Sequence, residues 1–120
     1  MNVSEIVART LAQFRYAPPT PGTTVGALWP EAKVLAHVER LKDCLVTPYL
    51  EKFELRETYE QVQSKEQLLA EYWVVAEDQG YLEWYDPKTN EFGLGQRREN
   101  SVVPVSIGVR GDLVGVYCAM

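Results

Sequence analysis

The stretch YLEWYDPKTNEFGLGQ, residues Tyr81–Gln96, decides the fold of this chain. Its first five residues are apolar or aromatic apart from one acid, a composition typical of a β-strand. Asp86 and Pro87 suit the first two positions of a turn, and Asn90 suits its end. The sequence therefore predicts a strand over 81–86, a tight turn, and a returning strand over 91–96.

Three further segments predict strands. Tyr72-Trp73-Val74-Val75 joins four β-branched or aromatic residues and predicts a strand over 72–77. A helix through 72–79 that ends on Gly80 also fits, and that alternative stays open. Val102–Val109 predicts a fourth strand, which Pro104 moves toward an edge or a bulge. Leu113–Cys118 predicts a fifth strand.

A first helix is predicted over 3–15, because Asn2 and Glu5 have the spacing of a capping box and apolar residues recur at helical intervals. A proline- and glycine-rich segment over 17–29 ends it, since closely spaced prolines remove backbone donors and fix φ. This connection is the one candidate linker in a single domain of 120 residues. It would let residues 1–16 pack as a separate arm.

A second helix is predicted from Pro30 to about Val46, because proline is favoured at the first helical position. Residues 49–63 fit both a strand and a helix, and their content of Glu, Gln, Lys and Arg favours the helix. That helix would carry an acidic ridge of Glu51, Glu54, Glu57 and Glu60. A short helix over 64–71 is predicted from a capping box at Ser64.

Helices followed by a run of strands indicate an α+β domain. We expect N-terminal helices packed on one face of an antiparallel meander of about five strands. Such an open sheet leaves at least one free edge, and a homodimer through that edge is one expectation. A chain of 120 residues with 46% hydrophobic content is long enough to bury one core.

The net charge of −5 is concentrated in the middle of the chain. Residues 51–91 hold eleven acidic and four basic residues, which gives this window a net charge of −7. Such a window repels the phosphates of nucleic acid and attracts a basic protein. We therefore expect a basic protein partner, while noting that acids which only keep a domain soluble produce the same pattern.

The sequence predicts a cytoplasmic protein with no membrane span. No apolar run reaches roughly 18 residues, and the first residues lack the basic and apolar regions of a secretory signal. Cys44 and Cys118 have apolar neighbours, which is typical of buried thiols in a reducing compartment.

Few residues suit catalysis. His37 is the one histidine, and on a helix it would lie about 10 Å along the axis from Cys44, beyond hydrogen-bond reach. No Cys-x-x-Cys or His-x-x-x-His spacing indicates a metal, and Gly93-Leu94-Gly95 lacks the third glycine of a phosphate-binding loop. We expect no catalytic residue, no metal and no cofactor.

An aromatic cluster adjoins the acids. If Leu82 and Trp84 face the core, then Tyr81, Glu83 and Tyr85 lie on the opposite face of the strand. Exposed tyrosines beside carboxylates are typical of a protein-binding hot spot, whereas helices over this face would bury them. The candidate partner-binding residues are Glu51, Glu54, Glu57, Tyr81, Glu83 and Tyr85.

These features favour a non-catalytic protein-binding domain, of the kind represented by small acidic bacterial inhibitors and immunity proteins that mask a basic partner. One alternative is a winged-helix nucleic-acid-binding module with Arg97 and Arg98 near a wing tip, which the acidic balance opposes. Another is a small hydrolase that uses carboxylates or Cys118.

Overall fold

The computed structural model describes residues 2–16, 30–63 and 68–120. Within these ranges two helices come first, five strands with one short helix among them follow, and a short helix succeeds the last strand. In chain order the elements are α1 (Val3–Gln13), α2 (Glu31–Cys44), β1 (Leu45–Leu55), α3 (Tyr59–Gln63), β2 (Leu69–Asp78), β3 (Tyr81–Asp86), β4 (Glu91–Gln96), β5 (Val105–Gly111) and α4 (Leu113–Cys118).

The five strands form a meander that closes into a barrel. Each strand pairs antiparallel with the next, as the sequence predicts, and β1 then pairs parallel with β5 at Glu54–Val105 and Leu55–Ser106. The α+β fold class is confirmed. Within the described residues closure joins the first strand to the last, so a barrel replaces the open sheet that was expected, and a homodimer stays a prediction.

The first strand occupies a segment for which we predicted a helix. Residues 49–55 belong to β1, and only Tyr59–Gln63 is helical. Phe53 is fully buried inside the barrel. The burial of this alternating apolar face outweighs the modest helix propensity of the intervening Glu and Lys residues.

The second strand confirms the strand expected over 72–77 and excludes the helical alternative there. It begins at Leu69, so the short helix expected over 64–71 is wrong from that residue onward. Its predicted capping box at Ser64 and the proline-rich connection over 17–29 lie outside the described residues.

The predicted fifth strand, Leu113–Cys118, is the helix α4. Asp112 caps it, since its carboxylate accepts a hydrogen bond from the Gly115 amide at 3.1 Å. The buried residues are Leu113, Val114, Val116 and Tyr117, and their three- and four-residue spacings are those of a helical face rather than a strand. A run of apolar residues this short is compatible with both a helix and a strand, so the sequence pattern alone does not distinguish them.

The two N-terminal helices agree with the prediction. Asn2 caps α1 by accepting from the Glu5 amide at 2.8 Å. The second helix ends at Cys44, two residues earlier than expected, because Leu45 and Val46 already belong to β1. None of the helices in the described part of the chain has the length and apolar character needed to span a bilayer.

The barrel wall separates two hydrophobic cores. The lumen core lies inside the barrel and consists of Phe53, Tyr72, Val74, Leu82 and Trp84. The helix-side core lies between the barrel and α1, α2 and α4, and includes Val7, Leu41, Val75, Leu94 and Val116. Both sides of β3 are therefore buried, which an open sheet with helices on one face would not achieve.

Two glycines of β4 make room for the lumen aromatics. A Cβ atom at Gly93 would lie 1.9 Å from the Trp84 ring, and one at Gly95 would lie 2.5 Å from the Phe53 ring. The Gly93-Leu94-Gly95 segment thus serves close packing of rings on bare backbone.

The predicted turn after β3 is confirmed. The Asp86 carboxylate accepts from the Lys88 amide at 3.0 Å and from the Thr89 hydroxyl at 3.3 Å. Asn90 takes a positive φ of 54°, which asparagine tolerates better than most residues.

Candidate binding surface

The residues predicted to form an exposed tyrosine face on β3 point toward the helices. Glu83 is 0% exposed and Tyr85 is 3% exposed, while Tyr81 is partly buried. Of the two alternatives left open for this face, coverage by helices is the one found for Glu83 and Tyr85, because α1, α2 and α4 pack over it. Burying Leu82 and Trp84 in the lumen does not expose the opposite side of β3.

Glu83 lies at the centre of the helix-side core, between Ala76 of β2 and Leu94 of β4. Neither carboxylate oxygen has a hydrogen-bond partner among residues 2–16, 30–63 and 68–120. Burial raises the pKa of Glu83 well above its usual range, and the nearby Asp112 carboxylate raises it further. The side chain is therefore held as a neutral acid and presents no charge to a partner.

The three predicted glutamates Glu51, Glu54 and Glu57 do not form one ridge. They lie on β1 and just after it, where residues three apart point to opposite sides. Each faces a different arginine: Arg97 lies 3.9 Å from Glu51, Arg98 contacts Glu54, and Arg110 contacts Glu57.

Two arginines neutralise Glu54. Arg56 approaches it at 2.8 Å, and Arg98 donates to its other oxygen. Burial alone would raise the pKa of this carboxyl, but the hydrogen bonds and charges of Arg98 and Arg56 outweigh it and lower the pKa. Glu54 is ionised, buried and already paired.

Glu57 and Arg110 form the most complete ion pair at the barrel. Arg110 donates from Nε at 2.6 Å and from Nη2 at 3.2 Å to the two carboxylate oxygens. Its guanidinium also lies 4.8 Å from the Trp84 ring centroid and donates to the Tyr72 hydroxyl at 3.0 Å. The hydrogen bonds that Arg110 donates to Glu57 are the main cause of its raised pKa, and they outweigh the effect of burial.

Arg97 belongs to a second network near the Gly80 turn. It donates to the Tyr49 hydroxyl at 2.9 Å and to Glu77 at 3.2 Å, and Tyr49 donates to Glu77 at 2.7 Å. Burial and the Glu77 hydrogen bond raise the pKa of Tyr49 to about 12. The two arginines expected near a wing tip, Arg97 and Arg98, are thus engaged with carboxylates rather than presented to phosphates.

A polar cavity of about 130 Å³ lies where α2, α4 and the β2–β3 turn meet. Tyr117 donates to Asp78 at 2.7 Å, and Arg40 contacts the same carboxylate at 2.9 Å. The Tyr117 hydrogen bond lowers the pKa of Asp78 despite burial, and Arg40 lowers it further. His37 and Tyr81 line this cavity, whose volume is below the roughly 300–1,000 Å³ of ligand pockets.

Both cysteines are partly buried rather than fully buried as expected. Cys44 lies 3.9 Å from the Tyr117 hydroxyl, and both cysteines are free. Burial raises the pKa of Cys118, and the charge of Asp112 acts in the same direction. A thiol in that state is a poor nucleophile, because the thiolate is the reactive form. Among residues 2–16, 30–63 and 68–120, no group of three or more His, Cys, Asp or Glu side chains is placed to hold a metal ion.

The larger concave feature is an apolar groove of about 440 Å³ between the start of α1 and the outer wall of the barrel. Its floor includes Trp73 and Tyr85, so one of the predicted partner-binding residues contributes to it. The full lining is Asn2, Val3, Ser4, Ile6, Pro48, Trp73, Tyr85 and Pro87.

Beyond the groove, the outer side of β1 and β2 stays uncovered. We call this the open β1–β2 face and define it as Leu50, Lys52, Leu69, Glu71 and Trp73. Leu50 is 49% exposed and Leu69 is 46% exposed, while Leu50 pairs with Trp73 and Lys52 pairs with Glu71 across the strands.

Sequence reasoning missed both the groove and the open face. The sequence contains a signal for the open β1–β2 face. If both segments are strands, Leu50-x-Lys52 and Leu69-x-Glu71-x-Trp73 point outward and alternate with residues that point inward. The helical interpretation of 49–63 concealed it.

Comparison with protein-family models, with curated proteins and with solved structures gave no significant match.

Proposed function

We propose that this chain is a non-catalytic protein-binding domain whose partner inserts side chains into the apolar groove. The single observation that carries the proposal is the groove itself, about 440 Å³ in volume and floored by Trp73. Tryptophan and tyrosine dominate the energetics of protein interfaces, and a recessed aromatic floor is suited to an anchor side chain. Pro48 and Pro87 on its walls restrict the backbone, which reduces the entropy lost on binding.

The proposed partner is a basic protein, and the proposed role is that of an inhibitor or immunity-type protein that masks it. The net charge of −5 supports this, because an acidic domain accelerates encounter with a basic one. The three glutamates first considered are internally paired, so the attraction would be a long-range field rather than contacts to those residues. The two free thiols support a reducing, cytoplasmic location.

Two observations support a role without catalysis. The polar cavity at Asp78 is too small for most substrates, and its carboxylate already holds Tyr117 and Arg40. The Cys118 thiol is held in its unreactive protonated form by burial. No observation on the described residues favours a nucleic-acid function over this one.

The test is site-specific photo-crosslinking in cells. Ser4 is exposed and lines the groove, whereas Ala12 is exposed on the same helix and lies outside the lining. A photo-reactive phenylalanine at Ser4 should give a discrete adduct, and the same residue at Ala12 should not. With that partner purified, Ser4→Lys should weaken binding by at least about tenfold, and the matched Ala12→Lys should not.

Equal adducts from both positions, or unchanged affinity of the Ser4→Lys variant, would refute docking in the groove. The salt dependence of the association rate tests the charge separately. A basic partner should associate about tenfold more slowly at 0.5 M than at 0.05 M salt, whereas an unchanged rate excludes electrostatic attraction.

A further inference from the structure

We propose that a second copy of this chain docks on the open β1–β2 face, with a twofold axis that lies in the interface and runs parallel to the strands. The proposal concerns a surface that adjoins the groove and shares Trp73 with it, and it goes beyond the proposed function. It starts from exposure: Leu50 and Leu69 are each almost half exposed on the outer wall of a barrel whose opposite wall is covered by helices.

The arrangement of charge on this face is self-complementary. Lys52 and Glu71 are both exposed and lie directly opposite each other on neighbouring antiparallel strands. Rotation about an axis that runs between β1 and β2 exchanges the two columns. It places Lys52 of each copy over Glu71 of the other, and Leu50 over Trp73.

A second copy matches this face better than a strongly charged partner does. Lys52 and Glu71 cancel, so the centre of the face has no net charge to attract a basic or an acidic protein. The neighbouring Glu54 adds none, because Arg56 and Arg98 neutralise it. The rotation leaves Leu69 over Glu54, but it brings Lys52 over Glu71 and Leu50 over Trp73, so the twofold image complements two of the three rows of this face.

The size of the face predicts a weak dimer. Its few side chains bury less than the roughly 800 Å² per partner of a standard stable interface, so association should appear only at high protein concentration. Pairing of β1 with β5 at Glu54–Val105 and Leu55–Ser106 occupies part of the two strand edges that edge-to-edge pairing would need.

Sedimentation equilibrium over a wide range of protein concentration tests the proposal. The average mass of the wild-type chain should rise from 13.7 kDa toward twice that value as concentration increases. Lys52→Glu and Glu71→Lys should each lower the association constant by about tenfold, because each places like charges opposite each other twice. The double variant Lys52→Glu/Glu71→Lys restores opposite charges and should recover wild-type association.

The control is Lys88→Glu, which makes the same charge change at an exposed lysine in the Asp86–Asn90 turn. It should leave the association constant unchanged, and thermal melts confirm that each variant is folded. A wild-type chain that stays monomeric at every concentration would leave the face to a different protein and overturn the proposal. Single variants that associate normally, or a double variant that fails to recover, would overturn it as well. The groove variant Ser4→Lys should dimerise normally, so failure of the proposed function is distinguishable.

Discussion

The two sides of β3 differ in where they place ionisable groups. On the lumen side, the residues in the middle of the barrel are apolar or aromatic, and the charged groups lie toward its ends, where Arg110 meets Glu57 and Arg97 meets Glu77. On the helix side, Glu83 sits in the middle with no partner. Trp84 and Glu83 are adjacent in sequence, yet one belongs to each environment.

This difference shows that position in the sheet decides the state of a carboxyl group. At a barrel end an arginine can reach the carboxylate from a loop or a neighbouring strand, and the acid stays ionised. In the middle of a covered face no such approach exists, and the acid stays protonated instead. Substitutions on the two sides of β3 should therefore change the free energy of unfolding in opposite directions and with different pH dependence.

The largest effect is expected from Gly93→Ala in the lumen. The added methyl group would lie 1.9 Å from the Trp84 ring, which is fully buried and stacked on Tyr72 at 3.9 Å between ring centroids. Overpacking of this kind costs about 3 kcal/mol. Chemical denaturation should show this loss in the free energy of unfolding.

Two controls identify steric overlap as the cause. Gly80 has a φ of 87° but nothing within 4 Å of its would-be Cβ atom, so Gly80→Ala should cost only about 1 kcal/mol of backbone strain. In a Trp84→Leu background the added cost of Gly93→Ala should fall by more than half. An equal cost in both backgrounds would contradict close packing on this glycine.

The strands that flank the Asp86–Asn90 turn could be predicted because local signals agreed with the tertiary structure. Alternation, turn residues and β propensity all indicate the same strands there. The segment 49–55 could not be assigned, because its Glu and Lys residues favour a helix and only the barrel around Phe53 favours a strand. Barrel closure itself depends on pairing between β1 and β5, fifty residues apart, for which a single sequence carries no signal.

The candidate site was likewise predictable only where local sequence signals determine the structure. The alternation of Leu82, Glu83 and Trp84 was predicted correctly, but which side would be exposed depended on the covering helices. Arg97, Arg98 and Arg110 pair with Glu51, Glu54 and Glu57 from 40 or more positions away, so these three pairings could not be predicted; only Arg56 lies close in sequence to its partner Glu54.

A second prediction compares the two ion-pair networks of the barrel. Arg110→Met should cost about 2 kcal/mol, because it leaves the nearly buried Glu57 carboxylate unpaired and removes the stacking over Trp84. Arg97→Met should cost less than about 1 kcal/mol, since the side chains of Arg97 and Glu77 are 43% and 39% exposed and solvent screens the pair. Equal costs in urea denaturation would show that burial does not rank these pairs. The double variant Glu57→Gln/Arg110→Met should recover part of the loss.

A third prediction reverses the sign on the helix side. Glu83→Met should stabilise the fold by about 1–2 kcal/mol near pH 5, because it replaces an unpartnered buried acid with an apolar side chain of similar size. Glu83→Gln keeps a polar group and should change stability less at that pH. A destabilised Glu83→Met variant would mean that Glu83 has a partner.

The pH dependence isolates the ionisation of Glu83. Its pKa in the folded state is raised above the unfolded value of about 4.3, so the unfolded state loses the proton first. The stability of the wild-type chain therefore falls, relative to Glu83→Gln, as pH rises from the unfolded pKa toward the folded one. Denaturation of both proteins between pH 4 and 8 should give curves that diverge with increasing pH, and parallel curves would contradict a buried neutral acid.

The smallest expected effect comes from Asp78, a carboxylate on the helix side that lies at the margin of the covered face rather than at its centre. Tyr117→Phe removes the hydrogen bond at 2.7 Å and should cost about 1 kcal/mol at pH 7. Asp78 has a lowered pKa in the folded state, so its contribution to stability is present above the unfolded pKa of about 3.9 and is lost as pH falls through the folded pKa.

The difference in stability between wild type and Tyr117→Phe should shrink in acid, because Asp78 becomes protonated. The difference between wild type and Glu83→Gln should also shrink in acid, because Glu83 is then protonated in both the folded and the unfolded state. Above pH 5 only the difference in stability between wild type and Glu83→Gln should continue to change with pH. If the difference in free energy of unfolding between wild type and Tyr117→Phe also grew above pH 5, then position on the covered face would not explain why Asp78 is ionised and Glu83 is protonated.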